Sequence, residues 1–154
     1  MSRMNAITML KEDHEKVKGL FRDFEAAGDR AYQKKLRIAE QVFRELEVHT
    51  TLEEEIFYPA VQAKASKDGK ELVLEGLEEH HVVDVLISEL KQLQPENEQF
   101  DAKFKVLTEN VEHHIEEEEG EMLPDAEKRL GNELERLGAE MKARKEALVG
   151  AIAG

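Results

Sequence analysis

A chain of 154 residues has the length of one domain and can bury a sizeable core. Its formal charge of -13 and pI near 5.0 repel phosphate backbones, which argues against nucleic-acid binding. The absence of cysteine excludes disulfides, iron–sulfur ligation and thiol catalysis by this chain.

The mix of 40% hydrophobic and 37% charged residues, with only 9 Gly and 3 Pro, suits long amphipathic helices. Residues 1–154 are expected to form a single domain. A first helix is predicted from Asn5, a plausible N-cap, to Ala27, with Gly28 as its stop. Its apolar positions Ile7, Leu10, Val17, Leu20, Phe21 and Phe24 recur at helical spacing. Asp29 is a candidate cap for a second helix running to about Tyr58, which Pro59 should kink or end, and Asp68-Gly69 marks a turn. A third helix is predicted from about Glu71 to Leu93, before Pro95. A fourth runs from about Glu98 to Glu119, closed by Gly120 and Pro124. After Gly131-Asn132 a tail at about 132–150 reads as a short fifth helix. The expected fold is all-α: an up-down-up-down antiparallel four-helix bundle over about 5–124, because short loops make successive helices antiparallel neighbours. No stretch reaches the roughly 18 apolar residues of a membrane span, and Met1 to Leu10 lacks a signal-peptide run. A cytoplasmic protein with no membrane partner is expected.

The chain repeats itself. His49, Glu53 and Pro59 recur as His114, Glu118 and Pro124, each displaced by 65 residues. Asp13-His14 recurs as Glu79-His80, displaced by 66, and Val17, Leu20, Phe21 and Phe24 match Val83, Leu86, Ile87 and Leu90. Each half is a helical hairpin with one His on its first helix and His-x-x-x-Glu on its second. His14 falls four after Leu10 and three before Val17; His80 is flanked by Leu77 and Val83. His49 follows Leu46 by three, Glu53 precedes Phe57 by four, and His114 follows Val111 by three. All six share the core-facing stripes. A core-facing glutamate is costly without a cation, and residues at i and i+4 can chelate one cluster. A single His on an apolar stripe is more often a satisfied core residue. Six inward donors, distributed one, two, one, two over four helices, would need six coincidences.

His81 and His113 sit about 100° around from inward neighbours and read as exposed or as outer partners. Glu54, Glu55, Glu116, Glu117, Glu119 and Glu121 read as solvated, with Glu54 or Glu117 as candidate partners of the histidines. Tyr58 and Tyr32 carry no interpretable signal. Imidazole plus carboxylate suits iron, zinc, manganese or copper. Six donors are too many for one tetrahedral zinc, and they suit two cations bridged by Glu53 and Glu118.

The order H…HxxxE…H…HxxxE, with Glu54-Glu55-Ile56-Phe57-Tyr58-Pro59, resembles the hemerythrin-like (HHE cation-binding) family from about Ile7 to Pro124. That resemblance implies a four-helix bundle holding two iron ions, oxo- or hydroxo-bridged, with His14, His49, Glu53, His80, His114 and Glu118 as ligands. Family members carry, store or sense dioxygen, handle nitric oxide or peroxide, or supply iron for iron–sulfur cluster repair. The ligand implied is a small diatomic molecule or peroxide, with a partner protein if the chain donates iron. The animal oxygen carriers have an extra His in a His-x-x-x-His pair on the third helix and His-x-x-x-x-Asp on the fourth. Here Gly76 and Asp84 flank His80 at four residues, and Glu119 stands five after His114. The pattern is closer to bacterial members with four His and two Glu, which disfavours reversible oxygen carriage. Whether the chain turns over substrate is left open, and a metal-free helical interaction protein ranks last.

Overall fold

The computed structural model describes residues 5–153, so residues 1–4 and 154 of the expected domain lie outside it. The described residues are helical with no strand. Helix α1, Ala6–Ala26, begins at a reciprocal cap: the Thr8 N–H donates to Asn5 Oδ1, and the Asn5 N–H donates to Thr8 Oγ1. It ends at Ala27. The next helix starts later than Asp29 suggests, at Tyr32, with Ala31 as a cap that makes no side-chain bond.

Helix α2, Tyr32–Leu52, runs without a break through a wide π-type turn, Glu53–Phe57, into α3, Tyr58–Lys64. Pro59 therefore does not end the helix. In the wide turn the Tyr58 N–H reaches back five residues to the Glu53 carbonyl, and this local widening accommodates a proline that lacks its own N–H and crowds the preceding turn. Asp68 and Gly69 are not a separate turn. They lie in the first turn of α4, Lys67–Lys91, capped by Ser66 Oγ, which accepts from the Gly69 N–H. Helix α5, Glu98–Glu117, repeats the α2 arrangement: a second wide turn, Glu118–Met122, leads into α6, Leu123–Leu130. Gly120 and Pro124 are thus absorbed within a helical run, which stops at Gly131 with φ 50°.

Ion pairs and ring contacts show neighbouring helices running in opposite directions. Asp13 meets His49 and Lys16 meets Glu45 between α1 and α2. Lys91 meets Glu47, and His80 meets Glu54, between α4 and the α2 run. Lys103–Glu89 and His114–Glu79 join α5 to α4, while Phe21–Phe104 and His14–Glu119 join α1 to the α5 run.

The tail is longer than its sequence suggests. Helix α7, Glu133–Ala153, has 21 residues, as many as α1. Leu134, Leu137 and Met141 bury one face of it. Arg144 pairs with Glu55, and Lys145 with Asp13. At Gly138 an added Cβ would meet the Asn5 carbonyl carbon and Cα at 2.9 Å. Backbone cannot yield as a flexible side chain does, so Gly138→Ala should destabilise the fold by about 1–3 kcal/mol. Urea unfolding measures this, and an unchanged midpoint would contradict the seating of α7 on α1. No helix among the described residues is long and apolar enough to cross a membrane.

The core falls into two apolar clusters. One contains Leu10, Leu52, Phe57, Leu123 and Met141; the other contains Phe21, Phe24, Phe43 and Phe104. Along α1, α2, α4 and α5 a buried polar layer lies between them.

Candidate metal centre

That layer consists of His14, His49, Glu53, His80, His114 and Glu118, all buried, with Glu53 at 0% and Glu118 at 1% exposure. Glu53 and Glu118 each open a wide turn, and each follows its helix's histidine by four residues. The imidazoles aim their Nε2 atoms at the two carboxylates. His80 Nε2 is 3.0 Å and His49 Nε2 3.4 Å from Glu53 Oε1. His114 Nε2 is 3.0 Å from Glu118 Oε2, and His14 Nε2 is 3.3 Å from Glu118 Oε1. The six residues singled out by the repeat therefore come together.

Each imidazole is held from behind by a carboxylate at Nδ1. His14 pairs with Glu119 at 2.6 Å, His49 with Asp13 at 2.9 Å, His80 with Glu54 at 2.8 Å and His114 with Glu79 at 2.5 Å. These partners obey the repeat: Glu54 and Glu119 are 65 apart, Asp13 and Glu79 are 66 apart. An acceptor at Nδ1 fixes the proton there and leaves the Nε2 lone pair for a cation. Glu119, read as solvated, is thus a structural partner of His14. Glu54 is exposed yet bonds His80, while Glu117 pairs with the exposed His113 rather than with a buried histidine. His81 and Asp84 are both exposed.

Without a cation, the layer is electrostatically tense. Burial opposes a charged His114, but its bonds to Glu118, Glu53 and Glu79 push it up to about 12. His14 and His80 are likewise raised above their ordinary 6.5: against burial, Glu118 holds His14 charged and Glu53 holds His80 charged. Glu53 is lowered well below 4.5, because the His49 charge and its hydrogen-bonded neighbours overcome burial. Asp13 is lowered too, with the His49 and Lys145 contacts outweighing its burial. Histidines raised on folding contribute stability that is complete below pH 6.5 and fades as pH rises, for His114 toward about 12. The metal-free protein should therefore lose stability in urea between pH 6.5 and 9. A cation needs neutral imidazoles, so metal affinity should rise over the same interval. Metal-free stability that increases from pH 6.5 to 9 would contradict this charge assignment.

The donor set fits metal. His14, His49 and His114 Nε2, Glu53 Oε2 and Glu118 Oε1 are buried without a hydrogen-bond partner, an arrangement that is costly unless something else binds there. Two groups bring one donor atom per residue within 4.8 Å of one another: His14, His49, Glu53 and Glu118, and then Glu53, His80 and His114. The layer has two unlike faces. On one, a cavity of about 20 Å³ is walled by Val17, Leu46, Val83, Val111 and Ile115, room for one very small molecule. On the other lies Tyr58, 1% exposed, whose hydroxyl donates to Glu118 Oε2 at 3.0 Å and sits 3.4 Å from His80 Nε2. Sequence reasoning passed over Tyr58. The repeat held the signal, since it places Leu123 where the other half has Tyr58.

Comparisons with known proteins point the same way. The profile of the hemerythrin HHE cation-binding domain matches residues 5–126. An uncharacterized hemerythrin-like protein of Schizosaccharomyces pombe is 28% identical over 79% of this chain, and the match spans 59% of that longer relative. An uncharacterized protein of Mycobacterium tuberculosis is 32% identical over 96% of this chain and 89% of its own length. The crystal structure of its homologue from Mycobacterium kansasii, a hemerythrin HHE cation-binding domain-containing protein, superposes with a TM-score of 0.82. It is 29% identical, covering 96% of this chain and 88% of that one.

Proposed function

The chain belongs to the hemerythrin HHE cation-binding family, and from that premise we propose that it holds two iron ions and uses them on dioxygen, nitric oxide or peroxide. His14 and His49 would hold one ion and His80 and His114 the other, with Glu53 and Glu118 between them. The observation that carries the reading is the pair of buried donor groups sharing Glu53, beside a cavity walled by aliphatic side chains. The opposite-running helix pairs support an up-down-up-down bundle as the frame. A cysteine-free chain suits a reducing cytoplasm, which we take as its setting.

Iron bound there supplies one-electron redox chemistry at coordination positions left open by six protein donors. The chain's own residues do the rest. Asp13, Glu54, Glu79 and Glu119 orient the imidazoles. The two glutamates offset much of the cations' charge in a buried layer. Val17, Leu46, Val83, Val111 and Ile115 keep bulk water from the cavity side and limit entry to small molecules.

A second reading, an iron store that delivers to a partner protein, draws support from Glu54. That residue is exposed and bonds His80 directly, so solvent comes within one side chain of a proposed ligand. Anaerobic loading with ferrous iron, metal analysis and stopped-flow mixing with dioxygen test both. We expect about two irons per chain, oxidation in air without a spectrum that reverses on degassing, and dioxygen release from peroxide. A reversible oxygenated spectrum would show carriage instead. Peroxide decay no faster than with free iron, together with rapid loss to a chelator, would favour the store. Zinc, or less than one metal per chain, would overturn both.

A further inference from the structure

The repeat makes the polar layer two-fold: donors, bridging carboxylates and Nδ1 partners all have counterparts in the other half. One pair of positions breaks it. Tyr58 corresponds to Leu123, and Gly76, four residues before His80, corresponds to Leu10, four before His14. Leu10 and Leu123 are both buried in one apolar cluster. In the other half the small and the large residue are exchanged as a set. A Cβ on Gly76 would meet the Tyr58 hydroxyl at 2.9 Å, so the glycine leaves the room that the phenol fills. The exchange delivers an oxygen to the layer in one half only.

The position of that oxygen is what a ligand requires. Adjacent donors on an octahedral first-row cation stand about 3 Å apart, given bond lengths near 2.1 Å. Tyr58 Oη is 3.0 Å from Glu118 Oε2 and 3.4 Å from His80 Nε2. His80 Nε2 is in turn 3.0 Å from Glu53 Oε1. The ring lies near-parallel to the His80 imidazole, with centroids 5.4 Å apart, so packing fixes its aim. The donor groups differ in the same sense. The set around His14 and His49 takes in both glutamates, whereas the set around His80 and His114 takes in Glu53 alone. Glu118 Oε2 is occupied there by the phenol, while Glu53 Oε2, which has no such neighbour, is left without a partner.

We propose that the Tyr58 oxygen is a direct ligand of the cation held between His80 and His114, making the two cation positions chemically unlike. The proposal rests on the two-iron reading above. Binding through the phenolate breaks the O–H bond, and the proton passes to solvent. One position is then imidazole and carboxylate only; the other adds a strong, charged oxygen donor that favours the ferric state. The pair would hold its electrons unequally, and the position without the phenol would be the more open to a small ligand.

Resonance Raman spectroscopy on the ferric-loaded full chain, with iron counted on the same sample, decides this. The expected result is about two irons per chain and a visible band whose excitation enhances tyrosinate ring modes. The chain has 2 tyrosines, so the assignment is direct: Tyr58→Phe should abolish the modes and Tyr32→Phe should preserve them. Tyr58→Phe keeps the ring and removes one oxygen. Should it fail to fold, Gly76→Ala serves, because its new methyl group crowds the Tyr58 oxygen and should shift or weaken the band. Two irons without tyrosinate modes would overturn the proposal and leave the two-iron reading standing. An unchanged band in Gly76→Ala or Tyr58→Phe would also overturn it. Less than one iron would overturn the two-iron reading and this proposal with it.

Discussion

Replacing His49 or His114 by alanine should lower bound iron from about two ions per chain to fewer than one. Both imidazoles are buried, and both reach a carboxylate that serves the other position as well: Glu53 for His49, Glu118 for His114. Losing one donor therefore disturbs both ions. The effect should be graded by shell. Asp13→Asn or Glu79→Gln, which leave every Nε2 in place but alter the group behind it, should weaken iron binding by about 10–100-fold. His81→Ala and His113→Ala should leave it unchanged, since both side chains are exposed. Metal analysis after dialysis, with a competing chelator for the intermediate variants, gives the order. Equal losses from His49→Ala and His81→Ala would mean that the imidazoles do not converge as described.

Removing the metal should lower the melting temperature. A cation that binds only the folded state stabilises it by about 2.7 kcal/mol when its free concentration is 100 times the dissociation constant. For a domain of this size each kcal/mol shifts the midpoint by about 2–4 °C. Chelation should thus cost roughly 5–11 °C, and more if both ions bind tightly. The bundle should still unfold cooperatively, because an apolar cluster lies on either side of the polar layer. Calorimetry with and without chelator measures this. An unchanged midpoint after verified iron removal would count against a cation in the buried layer.

The sequence disclosed the site better than the fold around it. Periodicity put His14, His49, Glu53, His80, His114 and Glu118 on inward stripes, and the repeat tied them together. Their Nδ1 partners were harder to see. Glu119 and Glu54 sit beside inward residues in runs of charge, where a glutamate is usually solvated; only a neighbouring helix shows which of them turn toward a histidine. The prolines misled for a local reason. Pro59 and Pro124 normally end helices, yet each follows a wide turn that lets the helix go on, and nothing in composition announces a π-type turn. The length of α7 was obscured by its weak apolar stripe. Its seat depends on the approach of Gly138 to Asn5, a tertiary contact. Tyr58 was legible only as a difference between the halves.

The division of donors between the halves has a mechanical result. On the two-iron reading, each ion takes both imidazoles from one hairpin and is clamped from across the axis by a carboxylate of the other. The ions then act as a rivet between two otherwise separable leaves. Neither leaf can swing away without opening both positions, so iron should leave in pairs. A chelator titration should pass from fully loaded to empty protein with little of the one-iron form along the way.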